Sequence, residues 1–111
     1  MAKVWVGTRE FPSKASVTAE YQRILAKYPG DSAAVPAGSQ RVTGSDDEAF
    51  IRDLIASHPD IVEKTGSGID HFEVRYYDFG TRGVCLVRTD GTDIDVSLPW
   101  SVKHLPTTPP Q

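Results

Sequence analysis

In the N-terminal third of the chain, a short β-like run is followed by apolar positions that repeat with a helical period. One face of the helical pattern carries Val17, Tyr21, Ile24, Leu25 and Tyr28. Their spacing predicts a helix over residues 14–28. Aromatic and β-branched residues at 3–6 favour a short strand before it. Small and polar residues from 31 to 41 favour a surface loop after it.

A second helical segment begins at an acidic cluster. Ser45 and Glu48 have the S-x-x-E spacing of a capping box, in which the two side chains satisfy free backbone amides at a helix start. The apolar stripe that follows consists of Phe50, Leu54 and Ile55. Pro59 ends the pattern, because a residue before proline is disfavoured in the α conformation. The segment predicts a helix over residues 46–57.

In the second half of the chain the apolar positions alternate with polar ones, which is typical of β-strands. The alternation predicts strands at residues 71–77, 82–89 and 92–98. Asp90-Gly91 separates the last two strands, and this dipeptide favours a two-residue type I′ turn. The sequence therefore predicts a β-hairpin here, preceded by one more antiparallel strand.

The predicted turn fixes the register of the three strands. The resulting pairs are Thr89 with Thr92, Val87 with Ile94, Cys85 with Val96, Val74 with Cys85, and Phe72 with Val87. They give the sheet one apolar face, on which both amphipathic helices can pack. The sequence thus predicts a single α+β domain over residues 1–105. Its two helices cover one face of a small, mainly antiparallel sheet, formed by the C-terminal three-strand meander and the short N-terminal strand, and residues 106–111 are expected to be a disordered tail.

The same register predicts a mixed polar and apolar surface on the opposite face of the sheet. Arg75 and Arg88 lie there around exposed Val84 and Leu86, and Arg88 faces Asp93. A solvated face with cross-strand charge pairs is one interpretation. An interaction surface is the other, because an apolar patch rimmed by charge often marks one.

Composition narrows the classes of function. The 111 residues, 39% hydrophobic and 24% charged, fit one globular domain. The net charge of −3 opposes an extended nucleic-acid surface, so any phosphate-binding surface must be local. No apolar run is long enough to span a membrane, and no signal peptide is recognisable. Together with the lone Cys85, which has no partner for an internal disulfide, this predicts a cytoplasmic protein without membrane association.

No motif predicts catalysis, a metal site or a cofactor. Asp93 and Asp95 point to one side of a strand, but the spacing of a calcium-binding loop is absent. The histidines lack the spacing of zinc ligands. The Gly-rich segment 64–68 precedes a strand, whereas phosphate-binding loops precede a helix. A small enzyme using Asp93, Asp95 and His71 stays open as an alternative.

Several short segments share the order and spacing of one known family. They are Phe11-Pro12-Ser13-Lys14, Phe50-Ile51-Arg52-Asp53-Leu54-Ile55, His58-Pro59, Lys64-Thr65-Gly66-Ser67-Gly68-Ile69, Arg88-Thr89-Asp90-Gly91 and Asp95-Val96-Ser97. Together they resemble the DCL (defective chloroplasts and leaves) domain over most of residues 7–100. The plant members are associated with plastid ribosomal RNA processing, so the resemblance implies RNA-linked work and supplies no catalytic residue.

The leading hypothesis is therefore a non-catalytic accessory domain that contacts RNA or a ribonucleoprotein. The candidate contact residues are Lys64, His71, Arg75, Tyr77, Arg82, Arg88 and Lys103. Cations would position phosphates, and His71 or Tyr77 would stack on unpaired bases. The alternative is a protein-interaction module whose Val84 and Leu86 patch docks another protein or a second copy of the chain.

Overall fold

A computed structural model describes residues 3–28, 39–76 and 82–108, without the side chains of Ser39, Tyr76 and Arg82. Its elements are β1 (Val4–Val6), β2 (Arg9–Phe11), α1 (Lys14–Ala26), β3 (Ser39–Arg41), α2 (Ser45–Ile55), α3 (Ile61–Thr65), β4 (Ile69–Tyr76), β5 (Arg82–Arg88), β6 (Asp93–Val96) and α4 (Leu98–Lys103). Strands β3 to β6 form an antiparallel meander, and β1 pairs with β2 in a separate hairpin. The helices pack against these sheets, which confirms the predicted α+β class.

The first predicted helix is confirmed as α1. Ser13 caps its N-terminus: the Ser16 amide donates to the Ser13 hydroxyl, and the Ser13 amide donates to the Ser16 hydroxyl, both at 3.2 Å. All five positions of the predicted apolar face are buried, namely Val17, Tyr21, Ile24, Leu25 and Tyr28. The periodic pattern therefore identified the buried face of this helix correctly.

The second predicted helix is confirmed as α2, but its predicted capping box is wrong. Ser45 is already the first helical residue, and Gly44 precedes it without a capping side chain. The Glu48 carboxylate accepts a 2.9 Å hydrogen bond from Arg52, one turn further along. The Glu48 amide instead donates to the Gly44 carbonyl. The helix starts one residue before the predicted position, so the side chains of the motif cannot cap it.

Two short strands correct the predicted composition of the main sheet. The N-terminal strand β1 lies in the hairpin with β2, where Val4 pairs with Phe11. Residues 31–38 of the predicted loop lie outside the described residues, but its last three residues form β3. Gln40 pairs with Val74 on the edge of β4, because that edge offers free backbone groups to any extended segment.

The hairpin of β5 and β6 differs from the predicted register by one residue. Its loop has three residues, since the Arg88 amide donates to the Thr92 carbonyl at 2.7 Å. The Gly91 amide closes a turn onto the Arg88 carbonyl, and Gly91 adopts φ +88°. A left-handed glycine at the end of a three-residue loop is the alternative to a type I′ turn. Leu86 consequently faces Ile94.

This single step in register exchanges the two faces of β5. Val84 and Leu86 are 1% and 0% exposed, and they pair with Val74 and Phe72 on the side of the helices. Their predicted exposure is wrong, and Cys85 takes the opposite side instead. A shift of one residue reverses every side chain of a strand, because side chains alternate between faces.

The predicted last strand is too long, and two helices were not predicted. Strand β6 ends at Val96, and the Ser97 hydroxyl accepts a 3.1 Å hydrogen bond from the Trp100 amide to cap α4. Helix α4 contacts both α1 and α2. Within the described ranges, no helix combines the length and apolar character needed to cross a bilayer.

The first and last described segments meet at one backbone hydrogen bond. The Trp5 amide in β1 donates to the Pro106 carbonyl at 3.1 Å. Leu105, just before that carbonyl, is buried in the core. The chain therefore enters and leaves the described fold at adjacent positions.

Candidate functional site

The open face of the main sheet carries two of the predicted RNA-contact residues, and carboxylates hold both of them. Arg75 donates to Glu73 at 3.0 Å and to Asp93 at 3.1 Å. His71 lies between Asp70 at 2.6 Å and Glu73 at 3.0 Å. Carboxylates therefore outnumber the Arg75 guanidinium in this group, which leaves little attraction for phosphate.

The ion-paired side chains of Glu73, Arg75 and Asp93 form an ionic layer on the face that carries the lone cysteine. Cys85 is 0% exposed although it points away from the helices, because β5 places it between Glu73 and Asp95. Burial raises the pKa of Cys85 to about 11. Burial opposes the charged form of Arg75, but its hydrogen bonds to Asp93 and Glu73 raise the pKa of the guanidinium. The thiol is therefore protonated and inert at neutral pH.

The remaining predicted contact residues do not extend this face into one continuous surface. Arg88 donates through Nε to the Lys64 carbonyl at 2.8 Å and through Nη1 to the Thr92 hydroxyl at 3.1 Å. It thus fastens α3 to the hairpin loop. Tyr77 and the side chain of Arg82 lie outside the described residues.

The residues proposed for an enzyme alternative share the open face. His71 and Asp93 belong to its ion pairs, and Asp95 lies on the same side of β6 as Asp93, opposite Cys85. Among the described residues, His, Cys, Asp and Glu side chains do not gather into a group of three or more that would hold a metal ion.

A second region lies beside α4, where a pocket of about 580 Å³ opens to the surface. Its apolar wall includes Leu25, Val84, Val96, Leu98, Pro99 and Trp100. Its polar lining includes Tyr21, His58, Asp60, Lys64 and Asp95. The volume and the mixture of apolar walls with a few polar groups are typical of ligand pockets.

His58 presents a hydrogen-bond donor to this pocket. The side chain is 5% exposed, and its Nδ1 accepts a 3.0 Å hydrogen bond from the Asp60 amide. Burial lowers the pKa of His58, and the nearby charges of Lys64 and His104 lower it further, against the opposite effect of Asp60. The neutral ring therefore carries its proton on Nε2. Within the described part of the chain, Nε2 has no hydrogen-bond partner.

Tyr21 adds a second such group. Its side chain is 8% exposed, and burial raises the pKa of the phenol. No hydrogen bond to its hydroxyl is formed by any residue that the structure describes. Tyr21 reaches the pocket from α1, whereas His58 reaches it from the segment after α2. Both side chains line the same cavity, and their donor atoms keep contact with solvent, because no fully buried side-chain N or O atom of the described residues lacks a partner.

Trp100 stands at the same pocket and is 42% exposed. The ammonium of Lys103 lies 4.7 Å from the centroid of its ring, and the His104 ring packs edge-on at 4.9 Å. Lys14 donates to the Lys103 carbonyl at 2.9 Å. The exposed Trp100 ring is therefore flanked by the Lys103 ammonium and the His104 ring, with a second lysine, Lys14, bound to the Lys103 backbone.

Sequence reasoning missed Trp100, although a local signal existed. Ser97 followed by Pro99 is a typical helix start, because serine caps helix N-termini and the first turn of a helix tolerates proline. Reading that signal would have placed Trp100 and Lys103 on one short helix. Of the seven predicted contact residues, Lys64 and Lys103 fall in this second region.

The fold and this pocket define a small α+β domain with a partly polar cavity and no assigned chemistry. The chain belongs to the DUF3223 family, a family of proteins of unknown function, which matches residues 36–102. It is similar to the uncharacterized protein from Rhodospirillum rubrum whose solution NMR structure is known. The two are 30% identical with a TM-score of 0.75, over 91% of this chain and 88% of the other. No curated protein matches the chain.

Proposed function

We propose that this chain is a non-catalytic accessory domain that contacts single-stranded RNA, free or within a ribonucleoprotein. The contact surface is the region around Trp100, not the open face of the main sheet. The observation that carries this proposal is the exposed Trp100 ring flanked by Lys103 and His104. Single-stranded RNA is generally held by aromatic stacking together with cations that contact the backbone.

The charges of the two regions favour this choice of surface. Lys14, Lys64 and Lys103 donate to backbone carbonyls or contact a ring, and none forms an ion pair with a carboxylate among the described residues. Arg75, in contrast, forms ion pairs with two carboxylates, those of Glu73 and Asp93. A lysine without a carboxylate partner can bind phosphate without first breaking an ion pair.

The resemblance to the DCL domain gives independent support. The residues that carry the resemblance include Lys64 and the segment ending at Ser97, which caps α4. The association of plant DCL proteins with ribosomal RNA processing makes RNA the first nucleic acid to test. The net charge of −3 limits the contact to a local surface, so moderate affinity and strong salt dependence are expected.

The test is an NMR titration of labelled protein with a short single-stranded RNA and with a duplex, at low and near-physiological salt. We expect shifts around Trp100, Lys103 and Lys64 that weaken with salt. Trp100→Ala should weaken binding roughly 5- to 100-fold, which is the usual effect of losing one stacked base. Lys103→Gln should reduce the salt dependence.

Arg23→Gln is the matched control for charge. Arg23 pairs with Glu20 on α1 and lines a different cavity, so its loss should leave RNA binding unchanged. Shifts confined to His71, Arg75 and their neighbours would place the contact on the open face and refute this surface. No shifts at high RNA concentration would refute RNA binding altogether.

A protein-interaction module is the second candidate. Trp100 and Val62 are the exposed large hydrophobic residues of the described ranges, and Val62 is 85% exposed. Val62 lies on α3, two residues before Lys64 of the pocket. Sedimentation of the wild type and of Val62→Ser over a range of concentrations tests self-association. A mass that does not depend on concentration would rule out this form of the hypothesis.

A further inference from the structure

We infer that the pocket beside α4 receives one unpaired nucleobase, with Tyr21 and His58 as its hydrogen-bond donors and Trp100 as a stacking surface. The inference rests on the proposed function, because it identifies the part of the RNA strand that this site holds. It goes further, because it assigns a binding site and a base preference to residues that the sequence alone did not connect.

The first argument is the pair of donors. His58 is tied through Nδ1 to the Asp60 amide, so the ring orientation is fixed and Nε2–H is the group left for a ligand. The Tyr21 hydroxyl likewise lacks a partner among the described residues. Both donor atoms keep contact with solvent, because no fully buried side-chain N or O atom of the described residues lacks a partner. Two solvent-accessible donors on side chains that line one cavity are available to the acceptor atoms of a ligand.

The second argument is the shape and lining of the cavity. A volume of about 580 Å³ is ample for one base. Leu25, Val96 and Leu98 supply apolar surface, and the partly exposed Trp100 ring offers a flat surface to a planar ligand. Planar rings with polar edges fit such a site, because their faces pack on apolar walls while their edges take hydrogen bonds.

The third argument is charge, which favours a base over a free phosphate. Lys64 and Asp60 lie in the pocket lining, and the Lys64 ammonium donates to the backbone carbonyl of Asp95. A free dianionic phosphate would meet one cation and one carboxylate, so its net attraction would be small. A neutral base does not depend on such attraction, and Lys64 can contact the backbone phosphate of the same nucleotide. Lys103 of α4 would then contact the adjoining backbone.

The donors also predict which bases bind. Uracil, cytosine and guanine each carry a carbonyl oxygen on the edge of the ring, whereas adenine accepts only through separate ring nitrogens. Two donors placed to reach carbonyl oxygens should therefore favour the carbonyl-bearing bases over adenine. Each hydrogen bond that is lost should weaken binding roughly 2- to 12-fold.

The experiment compares oligouridine, oligocytidine and oligoadenosine of equal length, and then the free nucleosides, by calorimetry and NMR. Wild-type protein should bind oligouridine or oligocytidine more tightly than oligoadenosine, with shifts at Leu25 and Val96 inside the pocket. Tyr21→Phe removes a single oxygen and leaves the ring in the core. His58→Asn keeps an acceptor for the Asp60 amide but loses Nε2–H.

Both variants should bind the preferred oligomer more weakly and reduce the preference over oligoadenosine. Tyr28→Phe is the control, because it removes a hydroxyl that contacts Asp47 outside the pocket. Circular dichroism checks that each variant is folded. The control should keep the wild-type base preference.

The outcomes separate this inference from the function on which it rests. RNA binding with equal affinity for all oligomers, unchanged by Tyr21→Phe and His58→Asn, would overturn the base pocket and leave the RNA-contact proposal standing. Absence of RNA binding together with nucleoside shifts at Leu25 and Val96 would support the pocket and refute the strand contact. Absence of both would overturn both.

Discussion

The open face of the main sheet and the pocket beside α4 use similar side chains for different purposes. Both regions contain a histidine, cations and carboxylates. On the open face, each histidine nitrogen and the Arg75 guanidinium contact a carboxylate. In the pocket, Nε2 of His58 and the hydroxyl of Tyr21 have no partner among the described residues. The pocket offers donors that are open to solvent and to a ligand, whereas the open face is a stabilised surface of paired charges.

The largest expected effect distinguishes the two faces of β5. Leu86→Ala should lower the free energy of unfolding by about 2–5 kcal/mol, because it leaves a cavity under the helices. Val87→Ala, on the open face, should cost roughly 1 kcal/mol or less. Urea denaturation followed by circular dichroism measures both values. The reverse order would mean that the hairpin has the register of a two-residue turn.

The next effect concerns the ionic layer. Arg75→Ala should lower the free energy of unfolding by about 1–3 kcal/mol, because Glu73 and Asp93 lose their charged donor. It should also expose Cys85 to thiol-alkylating reagents, which mass spectrometry can follow, and leave RNA affinity unchanged.

Arg52→Ala is the matched control for Arg75→Ala. Arg52 makes an exposed i, i+4 pair with Glu48 on α2, a type of contact worth roughly 0.3–0.5 kcal/mol. If Arg75→Ala cost no more than this control, the layer would not be a stabilising feature. If it reduced RNA affinity, the open face would take part in binding.

A smaller effect is the pH dependence that His58 gives to stability. Its pKa is lowered in the folded protein, so below about pH 6.5 the unfolded chain takes up the proton first. The contribution of His58 is therefore fully present above that pH and is lost as the pH falls through the folded pKa. Unfolding of wild type and His58→Asn between pH 7 and pH 5 should show a shallower decline for the variant. Equal slopes would contradict burial of this ring.

The smallest effect is expected at the surface of α4. Lys103→Gln should change the free energy of unfolding by no more than roughly 0.5 kcal/mol, because the ammonium is exposed and its contact with Trp100 is open to water. Thermal denaturation tests this value. A large loss of stability would show that the cations around Trp100 support the fold, and the binding results for this variant would need to be interpreted accordingly.

Periodicity predicted the long elements because their burial is one-sided. Val17 and Ile24 in α1 and Phe72 and Val74 in β4 repeat at the spacing of their element, so their buried faces could be inferred. The three residues of β3 are too few to show an alternation, and the edge of β4 determines their conformation. The register failed because Asp90-Gly91 is compatible with two loop lengths.

The pocket was beyond sequence reasoning for a different reason. Tyr21, His58 and Trp100 lie far apart in the chain and each has an ordinary local explanation, as a core tyrosine, a helix-ending histidine and an exposed aromatic residue. Only the packing of α4 against α1 brings them to one cavity. The unpaired state of a hydroxyl or a ring nitrogen is a property of the folded protein and has no signature in the sequence.

The hydrogen bond between Trp5 and Pro106 bears on how this domain can be combined with others. Adjacent entry and exit positions allow a compact unit to be inserted into a surface loop of a host protein without separating the ends of that loop. They also allow circular permutation, in which a short linker joins the two ends and new termini are opened elsewhere. In a fusion, both neighbouring segments would emerge from the same side of the domain.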